Sequence, residues 1–340
     1  MTVPRASRYS RQELFAGIGP EGQERLRAAR VLLVGCGALG SCLAEMMTRA
    51  GVGSLTIVDR DYVEPSNLQR QSLFEEEDAE RGLPKAAAAE ARLRRINSEV
   101  AVRGIVADLT AENAEELVRA ADLVLDGTDN FETRFLVNDV CVRLGVPWVY
   151  GGCVGAHGLA LLVRPGKTPC LRCVLGERPA PGSGPTCDTA GVVGPIVHVI
   201  AGIQAAEALK LLAGRTESLL PGMASVDLWQ GAFDVMDLRG MAARCPGCAE
   251  GRFEEPEPVG SAVLCGRDAV QVRAPRGVRV DLDALAERLR AAGAVARNEY
   301  LVRFTAADAE LVVFADGRAI VKGVHDPVAA RILYAKYVGS

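Results

Sequence analysis

Residues 31–59 read VLLVGCGALGSCLAEMMTRAGVGSLTIVD. Val31 to Val34 is a short apolar run of the kind that makes a buried parallel strand. Gly35-x-Gly37-x-x-Gly40 follows at once. A helical pattern runs from about Leu39 to Ala50, and Gly51 ends it. Leu55 to Val58 predicts the next strand, closed by Asp59. Such a βαβ unit suits a nucleotide: the glycines let backbone approach phosphate, the helix N-terminus favours negative charge, and the acid accepts from ribose hydroxyls. A bare tight turn is the alternative, and the motif alone leaves NAD, FAD and ATP open.

The following residues narrow the choice. Asp59 to Gln71 add Asp61, Asn67, Arg70 and Gln71 in a loop outside the carboxyl end of the second strand, where open α/β sheets bind ligands. An extra arginine there gains little from a dinucleotide and much from a triphosphate. Gly82-Leu-Pro84-Lys85 starts a helix to about Asn97. Lys85 is a cation at the positive end of that helix, a sign reversed by a nearby anion; a solvated surface lysine is the alternative. Strands at Val100–Val106 and Leu123–Leu125 flank a helix at about 111–120. Asp126-Gly-Thr-Asp129-Asn130 then opens a helix over Phe131–Leu144. Asp129 either caps that helix or holds Mg²⁺ beside phosphate oxygens. With Trp148–Gly152 and Gly158–Val163 as further strands, the alternation predicts a doubly wound, Rossmann-like, mostly parallel α/β sheet.

Two pairs, Cys170-x-x-Cys173 and Cys245-x-x-Cys248, have metal-ligand spacing and read as a Cys₄ structural zinc site; redox-active dithiols are the alternative. Cys36, Cys42, Cys141 and Cys153 read as small buried apolar residues. Cys187 lies in a Pro/Gly/Ser-rich loop over residues 178–194, a place for a nucleophile rather than a packed thiol. His157, His198 and His325 have no triad context, and His198 reads as a satisfied core histidine. A closing hairpin, 219–229 and 232–238, delivers the second cysteine pair. A Glu/Pro/Gly-rich linker over 251–262 separates a 1–250 domain from a small α+β domain at 263–340. That domain is expected to hold strands at 269–272, 278–280, 300–305, 310–314 and 319–321, helices at 282–292 and 327–337, and an Asp316-Gly317 hairpin turn.

The chain has 340 residues, a net charge of −4 and 49% hydrophobic residues. The charge argues against a general nucleic-acid binder. The polar N-terminus predicts no signal peptide. Gln204, Glu207 and Lys210 interrupt the apolar stretch 194–214, so a buried helix fits better than a membrane span. A cytoplasmic location is expected.

Taken in order, Arg8-Tyr-Ser-Arg11-Gln12, the glycine turn with Asp59-x-Asp61, Ser66-Asn67-Leu-Gln-Arg70-Gln71, Gly82-x-Pro84-Lys85, Asp126-Gly-Thr-Asp129-Asn130, Cys187 and both C-x-x-C pairs resemble the ThiF/MoeB family, bacterial relatives of ubiquitin-activating enzymes. The resemblance runs from about Arg8 to Cys248. It implies ATP- and Mg²⁺-dependent adenylation of the C-terminal glycine of a ubiquitin-fold sulfur carrier ending in Gly-Gly, with release of pyrophosphate. By resemblance, Gly35, Gly37 and Gly40 line the nucleotide and Asp59, with Asp61, holds the ribose side. Asn67, Arg70, Gln71 and Lys85 face the triphosphate, and Asp129 with Asn130 faces Mg²⁺. Arg11 resembles an arginine supplied by a neighbouring subunit, which implies a homodimer. Cys170, Cys173, Cys245 and Cys248 match structural zinc ligands, and Cys187 matches a loop cysteine that links to the carrier in some members.

The chemistry implied is charge screening: Arg, Lys and Mg²⁺ let a carboxylate approach an α-phosphate of like sign, and an already ionised nucleophile needs no general base. Ala38 stands where many relatives have glycine. The last 80 or so residues do not resemble rhodanese. Around Asp316 to Gly323 they resemble a short tail on some bacillus-type members, so persulfide would come from a separate sulfurtransferase or cysteine desulfurase. An NAD(P)-linked oxidoreductase leaves Arg70, Lys85 and Asp129 without a task. A non-catalytic adaptor for a ubiquitin-like partner would not need the full set of ATP-facing residues.

Overall fold

The computed structural model describes residues 8–179, 187–241, 245–253, 261–264, 269–273, 278–306 and 310–339. The chain divides into two compact units, one of Met1–Glu80, Pro84–Ala180 and Gly191–Glu254, the other of Arg81–Leu83, Pro181–Ala190 and Glu255–Ser340.

The first unit opens with α1 (Ser10–Glu13) and α2 (Gly19–Ala28), then β1 (Arg30–Val34), α3 (Ala38–Ala50) and β2 (Ser54–Asp59). After α4 (Glu76–Glu80) come α5 (Lys85–Ile96), β3 (Ala101–Val106), α6 (Ala111–Arg119), β4 (Leu123–Asp126) and α7 (Phe131–Leu144). β5 (Trp148–Val154) and β6 (His157–Val163) lead to α8 (Leu171–Leu175). The short α9 (Cys187–Ala190) falls with the second unit. α10 (Gly194–Leu212), the hairpin β7 (Gly222–Asp227) and β8 (Ala232–Asp237), and α11 (Pro246–Glu250) complete the first. Its eight strands run β3-β2-β1-β4-β5-β6-β7-β8. The first five are parallel and the last three antiparallel to their neighbours. The order therefore reverses between β1 and β4, the switch point at which such sheets bind ligands.

Local chemistry sets the ends. α3 and α7 stop at Gly51 and Gly145, both left-handed at φ 80° and 72°, a conformation costly for any residue with a Cβ. Leu33, Leu43, Met47, Leu55 and Ile57 are fully buried, as are Phe135 and Trp148. α10 has the length and hydropathy of a membrane span. It packs along α3, β5 and β6 with Ile196, Val197, Ile200 and Ala201 buried, as a core helix.

The second unit holds β9 (Ser261–Leu264), β10 (Ala269–Val272), α12 (Leu282–Leu289), β11 (Ala294–Arg297), β12 (Leu301–Thr305), β13 (Glu310–Phe314), β14 (Ala319–Lys322) and α13 (Pro327–Tyr337). Its antiparallel sheet runs β11-β12-β13-β14-β10-β9. Val270, Val272, Val302, Phe304, Leu311 and Val313 meet Leu285, Leu289 and Ala330 of the two helices. The small α+β architecture is as expected, including a left-handed Gly317 after Asp316.

Three details differ. Residues 278–280 form no strand, because Asp281 turns the chain by accepting from Asp283 N and Ala284 N to start α12. β11 was not expected, and β9 begins at Ser261, inside the stretch read as linker. Most of that stretch lies outside the described residues.

Candidate active site

The glycine turn and the end of β4 meet backbone to backbone. Gly35 is left-handed at φ 83°, and a Cβ on it would lie 2.8 Å from the Gly127 carbonyl. A Cβ on Gly40 would lie 2.1 Å from the Gly35 carbonyl oxygen, and one on Gly127 2.4 Å from that same oxygen. These three glycines are needed for packing. Gly37 differs: a Cβ there would meet nothing closer than 3.9 Å, so the space above it is open. α3 begins beside this space with no side-chain cap and no acid in its first turn. Its N–H groups are thus left for an anion.

At the end of β2, Asp59 accepts from Cys36 N at 2.5 Å and Asp61 N at 2.7 Å. Burial pushes its carboxyl above the usual carboxylate range, against the pull of Lys85. Lys85 is buried, its Nζ 2.8 Å from Asp61 Oδ2, and its backbone N–H donates to Asp61 O. The solvated-lysine reading is thereby excluded. Desolvating a cation at a helix N-terminus is unfavourable twice over, and the site keeps it at the ligand-binding end of the sheet.

Asn67 and Gln71 are also buried. Asn67 Oδ1 accepts from Glu64 N at 3.1 Å, and Arg70 N and Gln71 N both donate to Asn67 O, so one tight turn carries all three. Arg70 Nη1 rests on Ser66 O. Gln71 Nε2 lies 3.9 Å from the Cβ position of Gly37, and Gln71 Oε1 has no hydrogen-bond partner among the described residues. A buried orphan acceptor beside an open glycine marks a place for a ligand.

Asp126, Thr128 and Gly127 lead to Asp129, which is exposed. The reading of Asp129 as helix cap is corrected: Asn130 caps α7, its Oδ1 accepting from Thr133 N at 2.8 Å, which leaves the Asp129 carboxylate outside the helix. An exposed carboxylate next to a phosphate-ready turn is the donor set Mg²⁺ takes, one or two carboxylates with phosphate oxygens.

The N-terminal motif is docked. Tyr9 is buried, with its hydroxyl accepting from Asn97 Nδ2 at 2.8 Å and its ring against Gly51. Gln12 Nε2 donates to Gln23 Oε1 and Ala50 O. Arg11, between these anchors, points to solvent with Leu14 and Phe15. β8 is one of the two edge strands of the sheet, with β3 the other, and Trp229, Phe233, Val235 and Met236 are exposed on and beside it.

The four cysteines converge as expected. All four sulfur atoms lie within 4.8 Å of one another, with Cys170 Sγ 3.8 Å from Cys173 Sγ and 3.5 Å from Cys245 Sγ. Zinc at about 2.3 Å from each of four tetrahedral sulfurs needs S···S near ~3.8 Å, so the cluster fits it. Cys36, Cys42, Cys141 and Cys153 are buried as read. His198 is a correction: it is exposed, with Nδ1 3.5 Å from Cys42 Sγ, because α10 turns that face outward. The side chain of Cys187 lies outside the described residues.

Two buried polar residues escaped sequence reading. Arg134 of α7 and Gln204 of α10 both converge on Asp126. Each helix carries several polar residues, and nothing in their spacing marks these two as the ones that turn inward onto β4.

Residues 9–247 match the model of the ThiF family. The chain is 49% identical over 339 residues to the sulfur carrier protein ThiS adenylyltransferase of Bacillus subtilis, covering 98% of this chain and 99% of that protein. It is 41% identical over 270 residues to the sulfur carrier protein adenylyltransferase of Thermus thermophilus, covering 78% and 98%. Among solved structures it resembles Escherichia coli MccB with ATP, at TM-score 0.61 and 26% identity, covering 71% of this chain and 73% of that one.

Proposed function

Because the chain belongs to the ThiF family, we propose that it adenylates the C-terminal glycine carboxylate of a ubiquitin-fold sulfur carrier, consuming ATP and releasing pyrophosphate. It is an adenylyltransferase. The observation that carries this reading is the 49% identity that spans 98% of the chain. A ThiS-like carrier ending in Gly-Gly is the first substrate to test. A nicotinamide-linked activity has no support left.

The carrier carboxylate, already ionised, attacks the α-phosphorus as the bond to the pyrophosphate oxygen breaks, leaving an acyl-adenylate. Gly37 and the first turn of α3 hold phosphate, over the tight backbone packing that Gly35 and Gly40 allow, and Asp59 holds ribose beside Asp61. Asn67, Arg70, Gln71 and Lys85 face the triphosphate. Lys85 acts most strongly there, since a buried cation is screened little by water. Asp129, with Asn130 behind it, would hold Mg²⁺, which would supply charge neutralisation for the leaving pyrophosphate. Cys170, Cys173, Cys245 and Cys248 hold zinc as a structural staple. Cys187 takes part after adenylation: its thiolate attacks the acyl-adenylate carbonyl, AMP leaves and a thioester joins it to the carrier, with sulfur then delivered by a separate sulfurtransferase or cysteine desulfurase.

Arg11 completes the site of a second copy. Its exposure beside Leu14 and Phe15, 74% and 65% exposed, supports a homodimer through this face. The apolar edge at Trp229 and Phe233 supports a protein substrate rather than a small one, since a free strand edge of this kind invites a partner. The protein works in the cytoplasm, without nucleic acid or membrane.

The test is ATP–pyrophosphate exchange by the purified protein with Mg²⁺ against a panel of Gly-Gly carriers. Exchange with one carrier is expected. ATP binding with no exchange across the panel would return the adaptor reading.

A further inference from the structure

Asp126 closes β4, and four residues separate it from the start of α7. That short loop, Gly127 to Asn130, carries Asp129. It is gripped from below by one side chain. Arg134, one turn into α7, donates from Nη2 to Thr128 O at 2.7 Å and to Gly151 O at 3.1 Å, and from Nε to Asp126 Oδ2 at 3.3 Å. Asp126 in turn accepts from Thr128 N and Oγ1 at 2.9 and 2.6 Å. The guanidinium lies 5.4 Å from the Phe131 ring centroid and 5.3 Å from that of Tyr150. Gln204 pins the strand ends underneath, donating to Asp126 O at 2.9 Å and Val149 O at 3.2 Å.

Stability alone does not call for this arrangement. A buried ion pair is often no better than an apolar pair of the same volume. Burial raises the Asp126 carboxyl above its ordinary range even with Arg134 beside it. What the pair supplies that a hydrophobic pair lacks is direction. The planar fork ties the loop carbonyl of Thr128 to the end of β4 and the middle of β5 at once, a task that a lysine, with one nitrogen, performs poorly. The Asn130 cap fixes the other side. Asp129 therefore stands on a backbone held on both flanks, and its exposed carboxylate accepts from Asn130 Nδ2 at 3.3 Å.

We propose that Arg134 is a positioning residue for the nucleotide reaction: by clamping Thr128 it sets Asp129 where the metal–triphosphate complex binds. This rests on the reading of Asp129 as the Mg²⁺ ligand, and it is independent of which carrier is served.

The test measures ATP binding in the full protein without carrier, by titration calorimetry, at saturating Mg²⁺ and in excess EDTA, with thermal midpoints alongside. Arg134→Lys is expected to weaken Mg²⁺-dependent ATP binding about tenfold while the EDTA affinity moves less than threefold. Val137→Ala, a buried change in the same helix, lowers the thermal midpoint and leaves both affinities as in the wild type. Equal loss in both variants, or an unchanged Mg²⁺-dependent affinity in Arg134→Lys, overturns the clamp. Should the lysine variant not fold, D126N/R134M, which removes both charges together, carries the same expectation. Wild-type Mg²⁺-dependent binding with the expected variant loss but no exchange with any carrier would sink the adenylation reading and leave the clamp standing.

Discussion

Replacing Lys85 by methionine separates what the buried pair does for the fold from what it does for ATP. The two side chains are 3% and 11% exposed and 2.8 Å apart. Lys85→Met keeps the volume and strands the Asp61 carboxylate in a place with little water. Removing one partner of a buried pair costs about 3–5 kcal/mol. For a unit of this size each kcal/mol shifts the thermal midpoint by roughly 2–4 °C, so a fall of about 6–20 °C is expected. The double variant Asp61→Asn/Lys85→Met removes both charges and should recover most of that fall, because no lone ion is left behind. Activity should not recover. If Lys85 meets the charge that develops on the triphosphate, its loss removes a preorganised donor worth about 10²–10³ in rate. Thermal melts and ATP–pyrophosphate exchange on the same preparations decide it. A double variant that melts like the wild type and also exchanges like it would show that Lys85 is there only to neutralise Asp61.

Asp129→Ala should abolish exchange while leaving the melting temperature within a few degrees, since the carboxylate is exposed and Asn130 carries the cap; wild-type turnover would refute the Mg²⁺ assignment. Adding Zn²⁺ to metal-free protein should release protons, because burial pushes the Cys170 thiol up to about 11 and metal binds thiolate. Proton counting in weakly buffered solution checks this, and zinc uptake with no release would contradict it. Arg11→Ala and Lys85→Met should each be inactive alone and regain activity on mixing, since one mixed dimer holds an intact site; no complementation would argue that Arg11 works within its own subunit or not at all.

How far the sequence could be read depended on whether a cause was local. The βαβ unit was legible because its strand, glycine turn, helix and stop lie within thirty residues, and Phe131–Leu144 because a polar cap and Gly145 bracket it. β11 was missed because Ala294 to Arg297 is short and unpatterned; it exists through its pairing with β12. Residues 278–280 carry β-branched residues but pair with no strand among the described residues, where Val280 N reaches the single carbonyl of Ala315. In the site, residue types at fixed spacing pointed to Asp59, Lys85 and Asp129. That Lys85 is buried, that Asn130 rather than Asp129 caps, and that Arg134 and Gln204 turn inward are properties of packing between elements far apart in the chain.

The cysteine cluster has a topological consequence. Cys170 and Cys245 stand 75 residues apart, and α10, β7 and β8 lie between them. A metal bound to the four sulfurs converts that span into a closed ring. For a cross-link of this span the chain-entropy model removes about 4.5 kcal/mol of disorder from the unfolded ensemble. The ring contains both the helix that packs along α3 and the exposed edge at β8. Peeling the edge strand away from its sheet then cannot proceed from a free end; it has to open a loop tied at both feet. A metal held by the four sulfurs would thus keep that exposed edge in one shape through a tie at Cys170 and Cys245, far along the chain from the glycine turn.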